Sequence, residues 1–107
     1  MAQEIKGVPF DAAAAVGYAP GSVVSKTVFE KGTGSITIFS FDKGEGLSEH
    51  TSPFDAVVLV IDGTAKITVG SAAHAVSTGQ MIIMPSNVPH ALRAESAFKM
   101  LLIMIRA

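Results

Sequence analysis

Turn residues constrain this sequence most: Gly, Pro, Asp and Asn interrupt it so often that no helical stripe of useful length survives. Only Asp11–Val16 (DAAAAV) could start a helix, with Asp11 as N-cap, and Gly17 and Pro20 stop it early. The rest reads as short strands. Ser22–Glu30 runs up to Lys31-Gly32-Thr33-Gly34. Ser35–Phe41 is rich in the β-branched and aromatic residues that favour strands. Asp42–Gly46 reads as a turn. Ala56–Ile61 meets Asp62-Gly63, a two-residue hairpin signal, and Thr64–Val69 returns. Short strands around His74–Ser77, Met81–Met84, His90–Ala94 and Phe98–Ile105 complete the set. About eight or nine strands without helical crossovers predict an all-β fold. The expected form is an antiparallel double-sheet jelly-roll barrel with at most one short N-terminal helical turn. A chain of 107 residues fits one domain. Within it, 1–34 reads as an N-terminal arm with the first strands and 35–107 as the barrel.

Composition narrows the partners. Charged residues are only 16% of the chain. An average domain carries about 25%. So few charges on so small a chain predict apolar surface shared with a second subunit. A net charge of -1 leaves no basic footprint, so nucleic acid is not expected as partner. With no cysteine there is no disulfide framework and no thiolate ligand or nucleophile. Met1–Phe10 lacks a basic segment followed by an apolar run, the pattern of a secretory signal. The longest aliphatic runs are Ala56–Ile61 and Met100–Ile105. A membrane helix needs about 20 residues, far more than either. No membrane association is expected, and the expected location is the cytoplasm.

The chemistry concentrates in two segments. The first reads Gly44, five residues, His50, one residue, Ser52, three residues, Ala56, six residues, Gly63. The second reads Gly79, five residues, Pro85, one residue, Asn87, two residues, His90. These spacings match the two motifs of the cupins, G-x5-H-x-H-x3-E-x6-G and G-x5-P-x-G-x2-H-x3-N. The chain resembles a small single-domain, RmlC-like cupin over Gly44 to Ala94. The turn glycines, Pro85 and one histidine of each motif agree. The resemblance implies a jelly-roll barrel with His50 and His90 near one mouth.

The departures bear on function. Metal-dependent cupins take two His and a Glu from the first motif and one His from the second. Here Ser52 replaces the second His and Ala56 replaces the Glu, which leaves His50 and His90 as the implied metal ligands. Zinc sites normally use three or four protein ligands, and a non-haem iron site needs two His and a carboxylate. Any divalent metal (Fe, Mn, Zn or Ni) is therefore expected to be weakly held. Asp55, Glu45 and Glu49 read as solvated turn charges, and Met81, Met84, Met100 and Met104 as core filling rather than thioether ligands. Asn87 replaces a Gly and tolerates φ > 0. Ala94 stands at the final Asn.

Strand parity gives the pocket. Residues two apart share a face, so His50, Ser52, Ala56, Val58 and Val60 are expected on one side. Leu92 shares the face of His90. The predicted ligand-binding set is His50, Ser52, Ala56, Val58, His90 and Leu92. The other face of the same strand, Val57, Leu59 and Ile61, is also apolar, as are both faces of Met100–Ile105. Outer faces covered by a subunit interface or an N-terminal arm are expected, and with the low charge content a homodimer. Pro9 limits Ile5–Phe10 to a sheet edge or subunit boundary. His74 falls in a hairpin outside the site.

Three functions remain open from sequence. A binding protein would hold a small, partly apolar molecule with its polar end on His50, Ser52 and His90. A metal-dependent enzyme of isomerase or dioxygenase type, or one using a His as acid or base, would act on a small polar substrate. A dimerisation module would do no chemistry.

Overall fold

The computed structural model describes residues 6–106 and contains nine strands. They are β1 (Val23–Lys31), β2 (Gly34–Phe41), β3 (Gly46–His50), β4 (Asp55–Asp62), β5 (Thr64–Val69), β6 (Ala72–Ser77), β7 (Met81–Met84), β8 (His90–Arg93) and β9 (Phe98–Ile105). All pairings are antiparallel. One sheet has the order β1-β2-β9-β4-β7 and the other β3-β8-β5-β6. This is the all-β double-sheet jelly roll that the turn spacing predicts. Among the described residues no helix is long and apolar enough to cross a membrane.

Alternation along the strands builds the core. Ala56, Val58 and Val60 of β4 are buried, and Phe98 and Met100 of β9 join them from the next strand. Ala65 and Ile67 of β5 and Leu92 of β8 close the core from the opposite sheet. Phe41 and Phe98 stack at 4.5 Å between ring centroids and plug one end of the barrel. The other end, where Ala56 pairs with Met104 and His50 with His90, stays open.

Two sequence expectations change. Gly46–His50 forms a strand, β3, where the sequence pattern indicates none. It is an edge strand with only one apolar side chain, Leu47, so it has no alternating pattern to read. The single parity drawn from His50 to Val60 also breaks. His50 ends β3 in the four-stranded sheet, and Ala56 lies near the start of β4 in the five-stranded one. Their side chains meet across the barrel, not along one strand.

The outer face of the five-stranded sheet is apolar, as expected, and is covered in part. A 3-10 turn, Ala12–Ala14, is capped by Asp11, whose carboxylate accepts the Ala13 N–H at 3.1 Å. Behind it, Val16, Val28 and Ile38 form a second buried cluster against Ala12, Ala15, Ile61 and Leu101. Val28 sits at a register shift in β1, a bulge that turns it onto this face. Of the segment Ile5–Phe10, Ile5 lies outside the described residues, and Val8 and Phe10 stand exposed within the single chain.

Polar contacts tie down the 3-10 turn and the residues that follow it. The buried Ser40 hydroxyl donates to the Gly17 carbonyl at 2.8 Å, Lys99 Nζ donates to the Ala13 carbonyl, and the Tyr18 hydroxyl donates to Asp62. Lys99 Nζ also lies 4.8 Å from the Tyr18 ring centroid. Burial pushes the Tyr18 hydroxyl well above its usual range, and the hydrogen bond to Asp62 and its charge push the same way. A raised folded value means this stabilisation is complete below the unfolded pKa of about 10 and fades as pH rises above it. Tyr18 is the chain's one tyrosine, so near-ultraviolet phenolate absorbance reads it alone. The native midpoint is expected above the midpoint in urea, and Tyr18→Phe should flatten the alkaline fall in stability. Coincident midpoints would contradict this anchor.

Candidate functional site

Pairing of β3 with β8 brings the two motif histidines together. His50 and His90 are direct Cα partners, with ring centroids 4.3 Å apart and planes at 71°. His50 is exposed at the mouth and His90 is buried below it. The rings are held alike. His50 Nδ1 lies 2.7 Å from the Ser48 carbonyl oxygen, and His90 Nδ1 lies 3.1 Å from that of Val88. A carbonyl oxygen only accepts, so each Nδ1 carries the proton and donates. In the neutral ring Nε2 is then the acceptor left with a free lone pair. A backbone carbonyl that fixes ring and tautomer is also how proteins hold metal-binding histidines.

Both rings line a cavity of about 150 Å³. Ser52, Ala56 and Leu92 line it too, with Leu47, Met84, Met100, Leu102 and Met104. Val58, one inward step further along β4, is fully buried in the core and does not reach the cavity. His74 lies exposed on β6 and does not line it. Ser52 holds the loop between β3 and β4: its hydroxyl accepts the Phe54 N–H at 3.1 Å, and its carbonyl accepts the Asn87 N–H at 2.7 Å. Asn87 has φ 64, the one positive φ outside glycine among the described residues, where the motif has glycine. Sequence reasoning misses Leu47, Leu102 and the inward methionines as lining. Their alternation is visible, but their place at the open end depends on strand register.

The cavity does not fit the usual divalent-metal set. No three His, Cys, Asp or Glu side chains among the described residues converge. Asp55, the nearest carboxylate in sequence, is exposed and accepts the Ser86 N–H at 2.9 Å, which caps the turn after β7. Glu49 is exposed. None stands in for the carboxylate absent at Ala56.

Comparison with known proteins settles the family. The cupin domain model matches residues 37–106. The chain is a cupin. A conserved protein of unknown function from Streptococcus pyogenes is 37% identical, with a TM-score of 0.89 over 94% of this chain and 89% of that one. A cupin 2 conserved barrel domain protein from Leptotrichia buccalis is 43% identical, with a TM-score of 0.87 over 90% of this cupin. The match spans 47% of that chain, about half its length. A cupin superfamily protein from Desulfitobacterium hafniense is 26% identical, with a TM-score of 0.88 over 94% and 93% of the two chains. No curated protein matches the sequence.

Proposed function

We propose that this cupin binds a small, largely apolar molecule that donates hydrogen bonds to His50 and His90. The observation that carries this reading is the contact that both Nδ1 atoms make with backbone carbonyls. Both Nδ1 atoms are committed to backbone carbonyls, so in the neutral ring Nε2 is the acceptor left free on two residues that line a cavity otherwise walled mainly by Leu and Met. Apolar walls with a few convergent polar groups are the usual form of a small-molecule site. A cavity of about 150 Å³ holds a molecule the size of benzene. Phenol and toluene are similar in size and differ in the one donor that matters. Phenol is expected to shift the methionine methyl resonances of Met84, Met100 and Met104 at lower concentration than toluene. A net hydrogen bond of about 0.5–1.5 kcal/mol makes the difference about 2- to 12-fold. In His50→Ala/His90→Ala the preference should vanish. Equal binding of the two probes by the wild-type protein would overturn the reading.

We also propose that the protein is a homodimer joined through the outer face of the five-stranded sheet. Ile83, Val57, Ile103 and Ile36 form one apolar row across four strands, and Met81 and Leu59 extend it. Ile83 and Met81 are 61% and 60% exposed in the single chain. Monomers seldom leave such a patch in water, and an apolar row can meet its own copy about a two-fold axis. Sedimentation should give twice 11.1 kDa for the wild-type protein. Ile83→Lys, which puts a charge into the row, should give the monomer at the same concentration. A wild-type monomer at tens of micromolar would exclude this dimer.

A further inference from the structure

The position that carries the carboxylate in the first cupin motif is Ala56, and both of its cross-strand neighbours are methionines. Met84 on β7 and Met104 on β9 are its direct Cα partners. Opposed residues share a sheet face with Cβ atoms about 4.5–5.5 Å apart, so the inward-facing Ala56 has a thioether on either side. Met84, Met100 and Met104 all line the cavity with His50 and His90. Three of the chain's five methionines therefore converge on one small space, in a protein whose lack of cysteine leaves thioethers as its only sulfur donors.

We propose that this cavity is a site for a soft monovalent cation, Cu(I), held by Nε2 of His50 and His90 and by the sulfurs of Met84 and Met104. Softness selects the metal: thioether and thiolate ligands favour Cu(I), whereas carboxylate and water suit harder ions. Charge points the same way. The four donors are neutral, and burying one positive charge without a carboxylate costs far less than burying two, since the desolvation cost of an ion rises with the square of its charge. A cavity with no carboxylate at Ala56 and a sulfur on either side of it thus suits a soft metal better than a hard one. Met is also a common core filler, the role the sequence alone gives these residues; the pairing adds that two of them flank the one position the motif gives to a carboxylate ligand. The inference shares the two ring nitrogens with the small-molecule reading and depends on the sulfurs, which that reading does not use.

The test is anaerobic titration of the untagged protein with Cu(I) against a chromophoric Cu(I) chelator, with Zn(II) titrated in parallel. One Cu(I) per chain is expected, with affinity at least 10-fold lower in Met84→Leu/Met104→Leu and unchanged in Met81→Leu, whose side chain lies on the outer face. Leu for Met conserves volume, so the double variant should fold, as far-UV circular dichroism will report. X-ray absorption of the wild-type Cu(I) complex should show both sulfur and imidazole scatterers, which keeps the test decisive if the variant fails to fold. Undiminished Cu(I) affinity in the folded double variant, absence of sulfur scattering, or tighter Zn(II) than Cu(I) binding would each overturn the proposal. Phenol should still be preferred over toluene by the double variant, so loss of Cu(I) binding alone leaves the small-molecule reading standing.

Discussion

Phe98→Ala is expected to remove about 3–5 kcal/mol of stability, the usual cost of truncating a buried phenylalanine. Domains have only about 5–15 kcal/mol to lose, so the variant should sit near the edge of folding. Phe98 is fully buried and stacks on Phe41, also fully buried, at the closed end of the barrel. Those rings are the largest fully buried side chains. Phe98 pairs with Phe41 on β2 and the next residue, Lys99, with Asp62 on β4, so the backbone around it has little freedom to collapse. The cavity left behind would therefore persist, and the cost should fall in the upper part of the range. Phe39, half-buried and 5.8 Å from Phe41, makes the internal comparison. Phe39→Ala should cost distinctly less. Urea unfolding followed by far-UV circular dichroism measures both. Equal losses would mean that the barrel end is not closed by the Phe41–Phe98 stack.

The same stack explains why one end of this barrel is sealed while the other keeps a cavity. Along β9 the inward residues run Phe98, Met100, Leu102 and Met104, from ring to flexible chain. Along β4 they run from Val60 at the sealed end to Ala56 at the open end. Bulk thus declines toward His50 and His90, and the space released is the cavity. This taper is legible in sequence as alternation. Its direction is not, because it depends on which strands are neighbours and in what register.

The turn signals read well for a physical reason. Gly44, Gly63 and Gly79 have φ of 89°, 81° and 87°, conformations that side chains resist. Their spacing thus records backbone geometry directly, and with it the turn before β3, the hairpin after β4 and the loop before β7. The strand β3 reads poorly because an edge strand facing water on one side carries few apolar residues. Its Ser48, Glu49 and His50 are all exposed. The two-sided apolar strands β4 and β9 are visible, but only the structure shows that the 3-10 turn covers part of their outer face while Ile83 and Met81 on the neighbouring β7 stay exposed. The methionines beside Ala56 are each visible as core residues. Their convergence on one position needs two strand pairings that no local pattern encodes.

Gly63→Ala is the second large expected effect, and a companion variant divides it into its causes. The backbone at Gly63 has φ +81. An L residue held in this left-handed region carries about 1–2 kcal/mol of strain. At Gly63 an added Cβ would also fall 2.5 Å from the Ala97 carbonyl oxygen and 3.1 Å from Phe98 Cβ. The first of these is backbone, so the start of β9 must move. Overpacking of this kind costs about 1–3 kcal/mol more. Gly79 has nearly the same φ, +87, with nothing within 4 Å of the Cβ position. Gly79→Ala should therefore cost about 1–2 kcal/mol, against about 2–5 kcal/mol for Gly63→Ala. Denaturant midpoints in the two variants give the difference. The effect should also travel. Gly63 joins β4 of one sheet to β5 of the other, and the strand it would displace carries Met100, Leu102 and Met104 into the cavity. Methyl resonances of Met100 and Met104 are expected to move in folded Gly63→Ala and to hold still in Gly79→Ala. Equal stability losses in the two variants would show that conformational strain alone accounts for the motif glycine, with no contribution from the close approach of β9.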